Sequence, residues 1–232
     1  MKRFYKAVSV EQAANGWCAL LDGREIKTPG GAAQIVPTRN LAEAMSGEWA
    51  GQGEEIEIAA FRLRDLADFA IDGVAKDRAT HVRELAAYAD TDTLCYRGDQ
   101  SDSLHDRQVE LWEPLLVTAE QRWDVRFERI SGIIHRPQPA GTLQRMENVL
   151  ASESEFTLAA LRMLTSLSAS LIIALHAITP DADAEMLWRA ANLEEDWQAE
   201  LWGRDAEAEA VRQTRLEAFR VAMQFAALAR TS

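Results

Sequence analysis

The four histidines of this chain are its most versatile candidates for catalysis, because histidine can act as a general acid or base and as a metal ligand. Their spacing restricts which of these roles they can share. They stand at His81, His105, His135 and His176, and no two are four residues apart. Asp102, His105 and Asp106 share one face if their segment is helical, which would suit a metal ion. The same residues also suit an exposed helix start, because acidic side chains are favoured in a first turn. The spacing favours the helix start.

The acidic and thiol side chains near residue 92 form a second candidate cluster. Asp90 and Asp92 could act as a carboxylate pair, but a cap and a turn after an alanine-rich helix are the simpler interpretation. Cys95 has only Arg97 as a flanking cation, so a buried thiol is favoured over a reactive thiolate. The sequence contains no phosphate-binding glycine loop, nucleophile elbow or paired His-Glu motif. We therefore predict no catalytic, metal or cofactor site.

The composition is that of an acidic globular protein. The 232 residues include 25 lysines and arginines against 37 aspartates and glutamates, a net charge of −12, and 47% of them are hydrophobic. This apolar content can form a core, which argues against dominant disorder. The negative charge repels phosphate groups, so we expect neither nucleic-acid binding nor attachment to an anionic membrane. Two cysteines, Cys18 and Cys95, are too few for a disulfide framework and fit a reducing compartment.

One apolar segment has the length of a marginal membrane span. Residues 163–180 contain no aspartate, glutamate, lysine or arginine, and about 18 such residues reach the lower limit for crossing a bilayer. Its leucines follow helical spacing among five serines and threonines, which favours a buried helix over membrane insertion. The first residues lack the apolar core of a secretory signal and the arginine- and serine-rich composition of a transit segment, so we expect a cytoplasmic protein.

The periodicity predicts an α+β fold, with a small N-terminal β-containing module and a larger, orthogonal α-helical bundle. In residues 1–60, the Asp22-Gly23 pair predicts a β-hairpin, and Thr38 can cap a following helix. Residues 61–232 form the bundle, with residues 125–130 as a candidate strand that returns to the first module. Helical spacing also covers 142–151, 155–178, 184–202 and 206–229. Pro114 favours a kink or a split in its own helix.

The predicted helix 184–202 carries carboxylates where hydrophobic residues are expected. With about 100° between successive residues, Glu194 projects from the middle of a broad apolar arc, and Glu195 lies nearer its edge beside Trp188 and Trp202. A carboxylate in such an arc is costly unless it is paired or hydrogen-bonded. Periodicity alone favours an ion pair within the chain, and the alternative is a donor on a partner protein.

Short motifs follow one another in a characteristic order along nearly the whole chain. In chain order they are Arg3-Phe4-Tyr5-Lys6; Leu21-Asp22-Gly23-Arg24 with Lys27-Thr28-Pro29; Val36-Pro37-Thr38 with Leu41-Ala42; Glu48-Trp49 with Gln52; Ala70-Ile71-Asp72; Tyr88 and Thr91-Asp92-Thr93-Leu94-Cys95-Tyr96-Arg97; Gln108 with Trp112-Glu113-Pro114; and Leu193-Glu194-Glu195 with Gln198 and Trp202-Gly203. This order resembles the assembly chaperones of the F-type ATP synthase catalytic head, which bind its α subunit. The likeness fades after Gly203, and Phe61-Arg62 stands where the family often has a Met-Pro pair.

The resemblance implies a non-enzymatic chaperone without a cofactor. Its partner would be the unassembled α subunit, whose β-facing surface it would cap until assembly. The family has a critical glutamate in the Leu-Glu-Glu segment, which corresponds to Glu194 or Glu195, with Glu194 as the better match. We expect the contact surface to include Trp188, Gln198 and Trp202 as well, and we expect a monomeric, bacterial member of the family.

Two other functions stay open at this point. One is a small metal-dependent hydrolase that uses Asp102, His105 and Asp106 with Asp90 or Asp92. The other is an acidic adaptor for a basic protein, which the net charge of −12 suggests. Stoichiometric bound metal would indicate the hydrolase, and strong salt sensitivity of partner binding would indicate the adaptor.

Overall fold

The computed structural model describes residues 1–99, 101–132, 135–203 and 205–230, and it confirms the α+β fold class. Strands β1 Val8–Ala13, β2 Gly16–Leu21 and β3 Arg24–Glu25 form an antiparallel sheet in the order β1-β2-β3. Asp22 and Gly23 join β2 to β3 with φ angles of +48° and +75°. These positive angles are those of a tight hairpin turn, so the predicted hairpin is confirmed.

Helices account for most of the remaining described residues. In chain order they are α1 Arg39–Ala50, α2 Arg62–Phe69, α3 Arg78–Ala87, α4 Ser103–Trp123, α5 Ala140–Ala151, α6 Glu155–Ser168, α7 Leu171–Ala177, α8 Ala184–Ala191, α9 Leu193–Trp202 and α10 Ala206–Ala229. A π-helical turn, Ala70–Val74, continues α2. Pro114 lies inside α4 without splitting it.

The chain packs into two compact units. Unit 1 comprises residues 1–78, 154–160 and those from Gln224 onward, and unit 2 comprises residues 79–153 and 161–223. Both α6 and α10 therefore contribute residues to both units. This division does not fall at residue 60, and the two modules 1–60 and 61–232 stay a prediction.

The candidate strand at residues 125–130 does not return to the first sheet. Strand β5 Ile130–Ser131 pairs in parallel with β4 Tyr96–Arg97, and both belong to unit 2. The residues before Ile130 are not in a strand, because side chains take their backbone N–H groups. Phe127 donates its N–H to the Glu120 carboxylate at 2.8 Å, and Glu128 donates to the Gln138 side chain at 2.7 Å. These bonds satisfy backbone donors that strand pairing would otherwise use.

An aromatic cluster forms the core of unit 1. Thr38 caps α1 by accepting a hydrogen bond from Leu41 N at 3.1 Å, as predicted, and α1 then places Trp49 on its buried face. The Trp49 ring lies 5.5 Å from that of Tyr5 and 4.3 Å from that of Phe61. The Tyr5 hydroxyl donates to the Trp49 carbonyl at 2.6 Å, which joins the N-terminal segment to α1.

The long apolar segment is two helices rather than one. The predicted helix 155–178 is interrupted at Ala169, which has a φ angle of +51°. Ser170 then caps α7, and its hydroxyl accepts a hydrogen bond from Ile173 N at 3.0 Å. Across the described residues, no helix combines the length and the apolar character that crossing a bilayer would need.

Candidate partner-binding surface

A break at Asn192 divides the predicted helix 184–202 into α8 and α9. Asn192 is buried, its φ and ψ angles are −112° and 17°, and its side chain donates to the Trp188 carbonyl at 2.8 Å. Asp183 caps α8 by accepting from the backbone N–H groups of Glu185 and Met186. The break interrupts the regular rotation between residues, so a helical wheel drawn over 184–202 misplaces the side chains after Asn192.

Glu194 is exposed in the first turn of α9. Its predicted position inside an apolar arc is therefore wrong, and the break at Asn192 is the physical reason. Its Oε1 accepts a hydrogen bond from Nε2 of Gln108 at 2.8 Å. Gln108 lies on α4 and is fully buried, with its own Oε1 accepting from Gly98 N at 2.7 Å. Among the described residues Glu194 thus has one partner, Gln108, and it remains accessible to a second.

The structure brings three further predicted residues to one open groove. Glu195, Gln198 and Trp202 lie along α9 and line a groove of about 350 Å³ together with residues from the start of α10. Trp202 is 79% exposed and the adjacent Leu201 is 57% exposed. A tryptophan this accessible contributes little to the core of its own chain and is typical of an interface anchor.

Trp188 lies apart from this groove and belongs to the core. It is 1% exposed, and its ring lies 5.5 Å from that of Phe219. The Arg215 guanidinium lies 5.8 Å from the same ring. The indole N–H of Trp188 has no hydrogen-bond partner among the described residues. Because the whole side chain is enclosed, Trp188 supports the surface from within and does not present itself to a partner.

The acidic side chains of α9 differ in how they are paired. Asp196 accepts from Arg212 at 2.7 Å, and Glu200 accepts from Arg107 at 2.8 Å. Glu195 makes neither a hydrogen bond nor an ion pair within the part of the chain that the structure describes. Glu194 and Glu195 both lie in the first turn of α9, where the helix dipole favours a negative charge. They are the two carboxylates of this helix that remain most available to a cationic partner.

A buried polar network supports Gln108 and was missed from the sequence. Arg97 is 5% exposed and donates to the Gln108 carbonyl at 2.6 Å and to Glu113 at 3.0 Å. Arg129 bridges Glu113 and Glu120 at 2.6 and 2.5 Å. Burial lowers the pKa of the Arg97 guanidinium from its ordinary value, although Glu113 opposes that effect. Gln108 and Arg97 both belong to the motifs quoted above. Polar residues at positions where the helical pattern predicts apolar ones were the sequence signal that could have revealed this network.

The residues of the alternative metal site have structural roles. Asp102 caps α4 by accepting from Leu104 N at 3.0 Å, and the His105 ring lies 3.2 Å from the Gly98 carbonyl. Asp92 is fully buried and accepts from Ser170. Burial raises the pKa of the Cys95 thiol. Within the described ranges, no three His, Cys, Asp or Glu residues stand close enough together to hold a metal ion.

Comparison with known proteins places this chain in a family. The family model described as ATP12 chaperone protein matches residues 2–120. The chain is 26% identical over 218 residues to the mitochondrial protein atp12 of Schizosaccharomyces pombe, which covers 87% of this chain and 74% of that one. It matches the crystal structure of Atp12 from Paracoccus denitrificans with a TM-score of 0.94 and 36% identity, over 99% of this chain and 98% of that chain.

A second solved structure agrees with the first. The Atu1473 protein of Agrobacterium tumefaciens gives a TM-score of 0.92 and 34% identity, over 97% of this chain and 85% of that chain. These likenesses extend through α9, which the family model itself does not reach. They confirm the resemblance drawn from the order of the motifs, and this chain belongs to the ATP12 chaperone family.

Proposed function

We propose that this chain is a non-enzymatic assembly chaperone that binds the unassembled α subunit of the F-type ATP synthase and caps its β-facing surface. Membership of a chaperone family supports a holding function. The motif order supports the α subunit as the client, because it resembles chaperones that bind this subunit. We further propose that the protein works as a monomer in the bacterial cytoplasm, without a cofactor.

The exposed apolar and acidic surface of α9 is the observation that carries this proposal. Trp202 and Leu201 are 79% and 57% exposed. Large apolar side chains left in water do not stabilise the fold, and adjacent ones mark a surface for a partner. Glu194 and Glu195 provide carboxylates for a cation or a donor on the α subunit. Apolar contacts would supply affinity and the carboxylates would supply specificity. Release follows when the β subunit competes for the same surface of the α subunit, so no covalent bond needs to be broken.

The direct test mixes the purified chain with isolated α subunit under conditions in which that subunit aggregates. At an equimolar ratio we expect light scattering to be suppressed, whereas an unrelated acidic protein of similar size should have no effect. Unchanged scattering would count against the proposed function. The same assay at increasing salt separates apolar capping from an acidic adaptor, since only the adaptor should lose most of its binding.

Charge-reversal variants test the carboxylates. Glu194→Lys should fold normally and lose about tenfold or more in affinity for the α subunit. Glu207→Lys is the matched control, because it reverses an exposed charge in the first turn of α10. Glu195→Lys identifies which carboxylate dominates. If Glu194→Lys and Glu195→Lys both bind like the control, neither carboxylate contacts the client.

A further inference from the structure

The orientation of the Gln108 side-chain amide is determined by its two hydrogen-bond partners. Its Oε1 accepts from Gly98 N at 2.7 Å, and its Nε2 donates to Oε1 of Glu194 at 2.8 Å. Turning the amide over would place its NH2 group against the N–H of Gly98 and its oxygen against the carboxylate of Glu194. Both contacts would be repulsive, because a backbone N–H only donates and an ionised carboxylate only accepts. The position of Gly98 therefore determines whether Gln108 can hold Glu194.

Arg97 controls both ends of the Gln108 residue. Its Nη1 donates to the backbone carbonyl of Gln108 at 2.6 Å, and it directly precedes Gly98, whose N–H orients the amide. One residue thus binds the main chain of Gln108 through its own side chain and presents the donor for the Gln108 side chain through the next residue. Arg97 is 5% exposed, so water competes little for these hydrogen bonds.

The guanidinium of Arg97 is itself held on two sides. Its Nη2 donates to Oε2 of Glu113 at 3.0 Å, and Arg129 holds the other oxygen of that carboxylate at 2.6 Å. The face of the guanidinium lies 5.3 Å from the ring of Trp112. A planar guanidinium that donates to two separate acceptors and stacks on a ring has little rotational freedom. Arg97 is therefore a rigid support for Gln108.

The backbone around Arg97 and Gly98 is also fixed. Arg97 pairs with Ser131 where β4 meets β5, and its carbonyl accepts from Gly132 N at 3.2 Å. The Gly98 carbonyl accepts from the Ser131 hydroxyl at 3.3 Å, and the His105 ring lies 3.2 Å from it. These bonds hold the Gly98 N–H in the direction that the Gln108 amide requires.

Helix α9 depends on such polar contacts, because it buries only Leu193 among its ten residues. An element with so few buried apolar contacts opens locally at little cost in free energy. The ion pair between Arg107 and Glu200 is solvent-exposed on both sides, and exposed pairs contribute little. The hydrogen bond from Gln108 to Glu194 has a fully buried donor. It is therefore the contact best suited to fix the first turn of α9.

We propose that Arg97 is a positioning residue for client binding, because it holds Gln108 in the orientation that fixes the Glu194 carboxylate. Arg97 acts through Gln108 and does not itself contact the client. A carboxylate that is already held in its binding position loses less entropy on association. The contact between Glu194 and the α subunit rests on the proposed function, whereas the arrangement from Arg97 to Glu194 does not.

A double-mutant cycle on binding to the isolated α subunit tests this role. Arg97→Lys keeps the charge, but an ammonium cannot span both acceptors as a guanidinium does, and it should weaken binding about fivefold. In a Glu194→Ala background the same change should have an effect of less than about twofold, because the positioned carboxylate is gone. An equal loss in both backgrounds would overturn the inference, since a purely structural role of Arg97 does not depend on Glu194.

Arg126→Lys is the matched control for this cycle. It makes the same change at an arginine that is 85% exposed and belongs to the outer edge of the same network. It should change binding by less than about twofold in either background. If Arg97→Lys does not fold, Glu113→Gln takes its place in the cycle, because it removes the charge partner of Arg97 at a position that is 37% exposed.

The same cycle on the free protein, followed by urea denaturation, makes the test independent of the client. Glu194→Ala should raise the equilibrium constant for unfolding about fivefold in the wild-type background. After Arg97→Lys it should raise this constant less than about twofold. Equal effects in the two backgrounds would overturn the inference. If the two changes are coupled in the free protein and the wild type does not bind the α subunit, the positioning stands and the proposed client is wrong.

Discussion

Gln108 connects the exposed carboxylate of Glu194 to the buried interior of unit 2. Its Nε2 donates to Glu194 at 2.8 Å, while its Oε1 accepts from Gly98 N at 2.7 Å. Gln108 is fully buried, whereas Glu194 is exposed. A surface carboxylate is thus held in place by an amide that cannot itself reorient freely. Holding a side chain in its bound conformation lowers the entropy lost on association.

Gln108→Glu should separate the contribution of the hydrogen bond to Glu194 from the contribution of side-chain packing. The variant keeps the size of the side chain and its acceptor for Gly98 N, but it replaces the donor to Glu194 with an oxygen. We expect a loss of about 1–3 kcal/mol in the free energy of unfolding at pH 7, measured by urea denaturation. The loss should shrink as pH falls and the introduced carboxyl becomes neutral. Equal losses at pH 7 and pH 5 would contradict this account.

Trp202 and Trp188 should respond to truncation in opposite ways. Trp202→Ala should change the free energy of unfolding by less than about 0.5 kcal/mol, yet weaken α-subunit binding about tenfold or more. Trp188→Ala should cost about 3–5 kcal/mol of stability, because it leaves a large cavity. Urea denaturation and a binding titration check both variants. A strongly destabilised Trp202→Ala would instead indicate that this side chain packs against its own chain.

The buried carboxylate of Asp92 should give unit 2 an unusual pH dependence. It accepts hydrogen bonds from Ser170 Oγ, Ile172 N and Leu94 N, at 2.7, 3.0 and 3.1 Å. Burial nevertheless raises its pKa from 3.8 to about 6. The folded protein therefore binds an extra proton between these two values, and this group lowers the free energy of unfolding as pH rises from about 4 to 6.

Comparison with Asp92→Asn isolates that effect from the other carboxylates. The stability advantage of the wild type over Asp92→Asn should fall by about 2 kcal/mol between pH 4 and pH 7. Denaturant titrations of both proteins at several pH values measure the difference. A difference that stays constant with pH would mean that Asp92 titrates normally.

Gly30 should resist substitution because of Asp72. Gly30 N donates to Asp72 at 2.7 Å, and a Cβ on Gly30 would lie 2.3 Å from the same carboxylate. Gly30→Ala should therefore cost about 1 kcal/mol of stability, because the Asp72 carboxylate must move away and lose this hydrogen bond. Gly141→Ala is the control, since a Cβ there meets no atom within 4 Å, and it should stabilise α5 by about 0.5–1 kcal/mol. Equal effects of the two changes would exclude the contact with Asp72.

Local signals in the sequence predicted some elements closely. Asp22-Gly23 and Thr38 determine a turn and a cap through their own chemistry, and both occur as predicted. The breaks at Ala169 and Asn192 carry a weaker signal, because Ser170 and Asn192 are residue types favoured at helix ends that also occur inside helices. Alanine normally favours helix, yet Ala169 has a φ angle of +51°, and its carbonyl accepts a hydrogen bond from the Thr93 hydroxyl at 2.9 Å.

Local sequence signals likewise predicted only part of the candidate surface. Residues of the Leu-Glu-Glu segment were identified, but their orientation depended on an unbroken helix. Once Asn192 interrupts that helix, Glu194 moves to solvent and Trp188 stays in the core. The role of Gln108 required a contact between residues 86 positions apart, which periodicity within one helix cannot predict.

The break at Asn192 also leaves α9 with only ten residues. An isolated peptide of about that length is mostly unfolded in water, because the few hydrogen bonds of so short a helix do not offset the free energy of nucleating it. A synthetic copy of Leu193–Trp202 would therefore be a weak competitor for the client unless a chemical cross-link held it helical. An inhibitor of this chaperone would be better designed on a stapled scaffold than on the linear sequence.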